Sequence, residues 1–207
     1  MFDFDIRGIF LMIIPVLLAL TVHEYAHALA AYRLGDNTAK NEGRLTLNPL
    51  AHLDPIGTLM LFLSKMIGWA KPVPFDPRNF KNPVRDITLV ALAGPVSNFI
   101  LAGLMSIALK VFYLLNIFSY IPGVGMEAEY IFHLAILVNV SLGIFNLLPV
   151  PPLDGFKVLS YFLPFKWVHF AYKNQMVFTI VFVALVLTGV LPSLIRPMVW
   201  TVFSLLS

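Results

Sequence analysis

His23-Glu24-Tyr25-Ala26-His27 sets two imidazoles four residues apart with a carboxylate beside the first. On a helix, residues i and i+4 share a face one turn apart, a spacing suited to gripping one zinc ion. Glu24 occupies the position that metalloproteases of the HExxH pattern use as general base toward a water molecule. Soluble proteins carry the same pattern, so the surrounding sequence decides its meaning. Here it lies inside an apolar run, from about Gly8 to Arg33, long enough to cross a bilayer. Ionisable groups at that depth are costly and mark a functional site by default.

A catalytic zinc takes three protein ligands and keeps one position open. The chain has no cysteine, so the third ligand must be His, Asp or Glu. Asp154 is the best candidate, within Asn146-Leu147-Leu148-Pro149-Val150-Pro151-Pro152-Leu153-Asp154-Gly155. The prolines forbid regular helix there, and non-helical backbone near membrane depth is tolerated only where it is buried or lines a wet cavity. Asp154 also suits a helix N-cap ahead of Gly155, and the two roles are compatible. Asn146 suits either an oxyanion donor or an interhelical hydrogen bond.

The elements that must position these groups are membrane segments. The 207 residues are 59% hydrophobic and 12% charged, against about 25% charged in soluble domains. That composition predicts an integral membrane protein. We expect an all-α polytopic bundle of about four spanning helices, with short re-entrant or interfacial segments and a small β-hairpin near the active site. The expected spans run from about Gly8 to Arg33, Ile87 to Leu115, Tyr130 to Leu148 and Met176 to Leu191. Ile56–Trp69 holds only about 14 residues and includes Lys65, which suits a re-entrant or interfacial piece. Arg44-Leu45-Thr46-Leu47-Asn48 alternates polar and apolar as a strand does. Pro192 and Pro197 are expected to break the chain ahead of a last apolar piece, Met198 to Leu206. The acidic start predicts that the first segment is retained rather than removed as a signal peptide. We read the chain as a single domain, residues 1–207, with its core over about 9–160 and C-terminal membrane segments over about 161–207.

Eleven of the 14 Lys and Arg residues fall in the stretch from Arg33 to Arg85 or in the loop carrying Lys157, Lys166 and Lys173. The positive-inside rule makes those regions cytosolic and the Glu127/Glu129 region external. At about 1.5 Å per residue, His23 lies roughly 15 Å along the helix from Arg33, in the cytosolic half, the side where Asp154 also falls. The basic residues are scattered through membrane-flanking loops, which excludes nucleic acid as a partner.

Taken together, His23-Glu24-Tyr25-Ala26-His27, Ala93-Gly94-Pro95-Val96-Ser97-Asn98 and Asn146…Pro149…Pro152-Leu153-Asp154-Gly155 resemble the three motifs of the site-2 proteases. These are intramembrane zinc metalloproteases, and the resemblance covers roughly residues 9–160. It implies Zn2+ held by His23, His27 and Asp154, with Glu24 activating water. It also implies substrates that are single membrane-spanning helices cut in or near the bilayer of the cytoplasmic membrane, with the site toward the cytosol. The chain is similar to the compact bacterial branch that lacks a PDZ domain.

A transmembrane substrate must unwind before hydrolysis, and an edge strand at Arg44, Leu45, Thr46, Leu47 and Asn48 is the candidate to hold it. His52 and Asn98 are further candidates for contact with substrate. A turn position also suits His52, and helix packing suits Asn98 better than chemistry. The alternative reading is a metal-binding membrane protein without hydrolytic activity, either a transporter or a degenerate protease homologue. A transporter needs polar groups through both leaflets, whereas here the outer halves are apolar. A degenerate homologue is expected to lose Glu24, which is present.

Overall fold

The computed structural model describes residues 6–58, 69–120 and 125–207. Helix α1, Ile6–Arg33, runs through Pro15 without ending. It stops where Gly35 takes φ +109°, a left-handed geometry that side chains resist. The amides of Leu34 and Asp36 turn back onto the carbonyls of Ala30 and Ala31 at 3.0 Å each, which satisfies the last turn. The buried Asp36 carboxylate then opens α2, Thr38–Asn41, accepting from the Thr38 amide at 3.1 Å and the Thr38 hydroxyl at 2.6 Å. The same carboxylate accepts from the Asp76 amide at 3.0 Å and from Asn79 Nδ2 at 2.7 Å. One side chain thereby fastens two loops separated by some 40 residues of sequence.

Helix α3, Pro83–Leu114, begins with proline in its first turn, and Asp86 reaches back to accept from the Asn82 amide at 3.0 Å. Helix α4 is Gly125–Asn146, so Glu127 lies in its first turn and Glu129 just beyond it, rather than in a loop. Asp154–Ser160 forms α5 and Phe165–Lys173 forms α6. Helix α7, Gln175–Leu187, is bent by 71° from α6. Helix α8 is Val190–Leu206.

α1, α3 and α4 are long and apolar enough to cross a membrane, and the bent α6–α7 pair can supply a fourth span. Small residues let the three core helices approach closely: Ala19, Ala28 and Ala31 on α1, Ala91, Gly94 and Ala102 on α3, and Gly143 on α4. Phe99 fills the space that Gly143 leaves, since a Cβ there would lie 2.9 Å from its ring. Ala102, Leu109, Ile136, Val140, Ile144 and Val199 join α3, α4 and α8 in one core. Ile14, Ile100, Leu104 and Ile107 face outward, as lipid-facing residues do.

Three expectations need correction or restriction. Arg44–Asn48 forms no strand: it runs as bends into a short 3-10 turn, Pro49–Ala51, capped by Asn48. The described residues contain no sheet, only an isolated bridge between Leu53 and Ala70. The reason is internal pairing, because the Arg44 amide is held by the Ala39 carbonyl at 2.8 Å and the Asn48 amide by Thr46 Oγ1 at 3.1 Å. The Thr46 carbonyl accepts from His52 Nε2 at 2.8 Å. The proline break is also displaced. Pro192 sits in the first turn of α8, where no hydrogen bond is lost, and α8 continues through Pro197. The break falls instead at Gly189, with φ +77°. Most of the Ile56–Trp69 piece lies outside the described residues.

Candidate metal centre

α1 carries His23, Glu24 and His27 on consecutive turns, all buried. α5 begins with Asp154, also buried, whose carboxylate enters between the two rings. His23 Nε2 and His27 Nε2 are 3.0 Å apart, and Asp154 Oδ2 lies 3.2 Å from the first and 3.1 Å from the second.

The hydrogen bonds behind each ring fix what faces the centre. His27 Nδ1 lies 2.7 Å from the Val90 carbonyl, which can only accept, so Nδ1 carries the proton. His23 Nδ1 lies 2.6 Å from Asn98 Oδ1. Asn98 Nδ2 donates to the Ala19 carbonyl at 3.1 Å and to Asn139 Oδ1 at 2.9 Å, so its oxygen must be the atom that meets His23. Both Nε2 atoms therefore present lone pairs inward, opposite a carboxylate oxygen. Three acceptors facing one another need a cation. Zinc bonds of about 2.0–2.2 Å in tetrahedral array set ligand atoms about 3.4 Å apart, close to the observed separations. His23, His27 and Asp154 thus fit a metal ion by donor type and by spacing.

Asp154 is steered from its other side. Lys157, one turn along α5, donates from Nζ to Oδ1 at 3.0 Å and leaves Oδ2 for the centre. Gly155 lets the turn close: a Cβ there would lie 2.1 Å from the Leu147 carbonyl oxygen.

Gly94 supplies the room for the rings. A Cβ at that position would lie 2.5 Å from Nε2 and Cε1 of His27 and 2.6 Å from Cε1 of His23. Gly94 and Asn98, one turn apart on α3, thereby form the wall against which α1 presents its imidazoles. Among the described residues no hydrogen bond occupies the buried Glu24 carboxylate.

The remaining candidates fall into two groups. Asn98 is fully buried, with its amide committed to His23, Ala19 and Asn139, so it serves the ring rather than facing a substrate. His52 and Arg44 are buried in the loop: the His52 carbonyl accepts from the Lys71 amide at 2.9 Å, and Arg44 donates to the Lys71 carbonyl. Leu45 and Thr46 are half-buried, while Leu47 and Asn48 are exposed. Asn146, half-buried at the end of α4, donates from Nδ2 to the Leu142 carbonyl at 3.0 Å. Sequence reasoning missed Asn139 and Lys157. A lone Asn in an apolar span was the available signal for the first. A Lys three residues past Asp154, hence one helical turn away, was the signal for the second.

Residues 114–188, which include Asp154, match the model of the family described as peptidase family M50. The chain is 42% identical over 159 residues to the candidate zinc metalloprotease YwhC of Bacillus subtilis, covering 74% of this chain and 69% of that protein. It is 37% identical over 158 residues to the candidate zinc metalloprotease Rip2 of Mycobacterium tuberculosis, covering 74% of this chain but only 58% of Rip2. A shorter match, 38% identical over 78 residues, joins it to the candidate zinc metalloprotease MJ0611 of Methanocaldococcus jannaschii, covering 38% and 35% of the two chains. No solved structure matches the chain significantly. With the motifs, the donor set and the extent of the YwhC match in agreement, the chain belongs to peptidase family M50.

Proposed function

We propose that this metalloendopeptidase works inside the bilayer of the cytoplasmic membrane, as one domain over residues 1–207, and cuts transmembrane segments of other membrane proteins near the cytosolic side. The observation that carries the reading is the meeting of His23 Nε2, His27 Nε2 and Asp154 Oδ2 within 3.2 Å of one another, with Glu24 next to His23 on a membrane-spanning helix. His23, His27 and Asp154 would hold the zinc. When bound, the metal polarises the scissile carbonyl and lowers the pKa of a coordinated water toward about 7.

The rest belongs to the protein. The Glu24 carboxylate, free of hydrogen bonds among the described residues, takes a proton from the attacking water and later returns it to the leaving amine. Asn146 Nδ2 spends one hydrogen on the Leu142 carbonyl and keeps a second for the developing oxyanion. Exposed Leu47 and Asn48, with Leu45 and Thr46 behind them, form the substrate-contacting part of the loop, while Arg44, His52 and Asn98 hold the structure around the site.

The test is purified wild type beside Glu24→Gln, assayed for zinc content and for cleavage of a transmembrane peptide in liposomes. The expected result is one zinc in each protein and cleavage by wild type alone. Zinc in both without cleavage in either would favour a metal-binding protein without hydrolytic activity.

A further inference from the structure

We propose that Asn139 is a positioning residue for the metal centre, acting through Asn98 to hold His23 in its metal-binding tautomer; this rests on the ligand assignment given above. Asn139 and Asn98 are both 0% exposed, on α4 and α3, within helices long and apolar enough on average to cross a membrane. Asn139 donates from Nδ2 to the Ala135 carbonyl of its own helix at 2.8 Å, which aims its Oδ1 away from that helix and at Asn98.

The hydrogen count gives the amide pair a direction. Asn98 has two N–H bonds, and both are spent, one on the Ala19 carbonyl of α1 and one on Asn139 Oδ1. Its oxygen is then the only atom left for His23, and it can only accept. His23 Nδ1 must carry the ring proton, and Nε2 is bare where a metal would sit. If Asn98 flipped, its NH2 group would face Nδ1, the proton would move to Nε2, and that nitrogen could no longer bind a metal. Asn139 and the Ala19 carbonyl both oppose the flip, because their oxygens would then meet the oxygen of Asn98. An apolar residue at 139 removes one of these two acceptors, weakens the opposition and leaves one buried Asn98 N–H without a partner. The relay thus runs from α4 through α3 to the catalytic face of α1, using no residue that touches the metal or the substrate except His23.

The experiment compares zinc affinity, by competition with a chelator, among wild type, Asn139→Leu, Asn139→Asp, Asn98→Asp and the Asn98→Asp/Asn139→Leu pair, with helix content and thermal midpoint measured on each metal-free protein. Asn139→Leu should weaken zinc binding about 10- to 100-fold, the usual effect of losing a residue behind a ligand. Asn139→Asp keeps an oxygen that accepts from Asn98 and should stay within about threefold of wild type. In Asn98→Asp there is no amide to flip, so adding Asn139→Leu should change affinity by less than about twofold. Wild-type affinity in Asn139→Leu would overturn the proposal. So would equal losses in the Leu and Asp variants, or an Asn139→Leu effect that persists undiminished in the Asn98→Asp background. If Asn139→Leu fails to fold alone, folding of the pair supports the relay, and failure of both makes Asn139 a packing residue and overturns it. A wild-type chain that binds no zinc at all would instead remove the ligand assignment, a different result from any of these.

Discussion

Gly94 and His27 are in direct register across the α1–α3 interface: a single added carbon on Gly94 would come within 2.5 Å of the imidazole Nε2. No real Cβ contact is that short, so Gly94→Ala must push the ring, and with it His23, out of place. We expect this smallest of substitutions to lower zinc affinity at least 10-fold while leaving the apolar surfaces of α3 intact. Chelator competition checks it; unchanged affinity would mean that the helices separate at no cost to the centre.

Glu24→Gln separates holding the metal from using it. The amide keeps the volume and loses the base, so zinc stoichiometry should stay at one while cleavage falls by about 10²–10⁴. Parallel metal analysis and cleavage assays read both numbers.

Lys157 holds Asp154 Oδ1 at 3.0 Å and is only partly exposed. Lys157→Gln should weaken zinc binding by about 10-fold, since Asp154 is then free to rotate, and Lys157→Arg should recover most of the loss. Equal affinity in all three proteins would show that Lys157 does not position the Asp154 carboxylate.

Asp36 gives a pH prediction. Burial pushes its carboxyl up, but hydrogen bonds from Thr38, Asn79 and the Asp76 amide outweigh burial and hold its pKa below the ordinary 3.8. A carboxylate lowered on folding stabilises the folded loop above its unfolded pKa, and that stability is lost as pH falls through the folded value. Proteolysis of the 69–82 loop should therefore be flat from pH 7 to about pH 4 and accelerate only below it. Asp36→Ala should open the loop already at neutral pH, at a cost on the order of 3 kcal/mol.

The sidedness of the chain is testable because it has no cysteine of its own. Lys81 and Met126 are both exposed. Lys81→Cys should react with an impermeant thiol reagent only from the cytosolic face, and Met126→Cys only from the opposite one. Labelling of both from one side would refute the proposed topology.

The sequence made α1, α3 and α4 legible because each is an apolar run of spanning length, and it made the His-Glu-His turn legible because i, i+4 spacing is local geometry. Asp154 could be read as a partner only by pairing two distant motifs with a topology inferred from charge. The strand expected at Arg44–Asn48 shows the limit. Alternation reports which side chains point together, but not that the Arg44 and Asn48 amides and the Thr46 carbonyl would be taken within the loop itself. Asn98 read as packing because its value lies in where its two N–H bonds go, which depends on Ala19 and on Asn139, 41 residues away. Pro197 misled for a simpler reason: a proline removes one rung of a helix, and tertiary contacts of Val199, Val202 and Phe203 keep α8 together across it.

The distance along the chain between the two parts of the centre bears on how the protein is made. His23 and His27 enter the membrane early, but Asp154 follows 131 residues after the first of them. At about 5–20 residues per second, roughly 7–26 s of synthesis separate the two. During that interval the nascent chain displays two imidazoles without a third ligand, and for most of it α3, Pro83–Leu114, is not yet complete and cannot fix their tautomers. The order of translation thus completes the three-ligand centre only after α1, α3 and α4 have all been made.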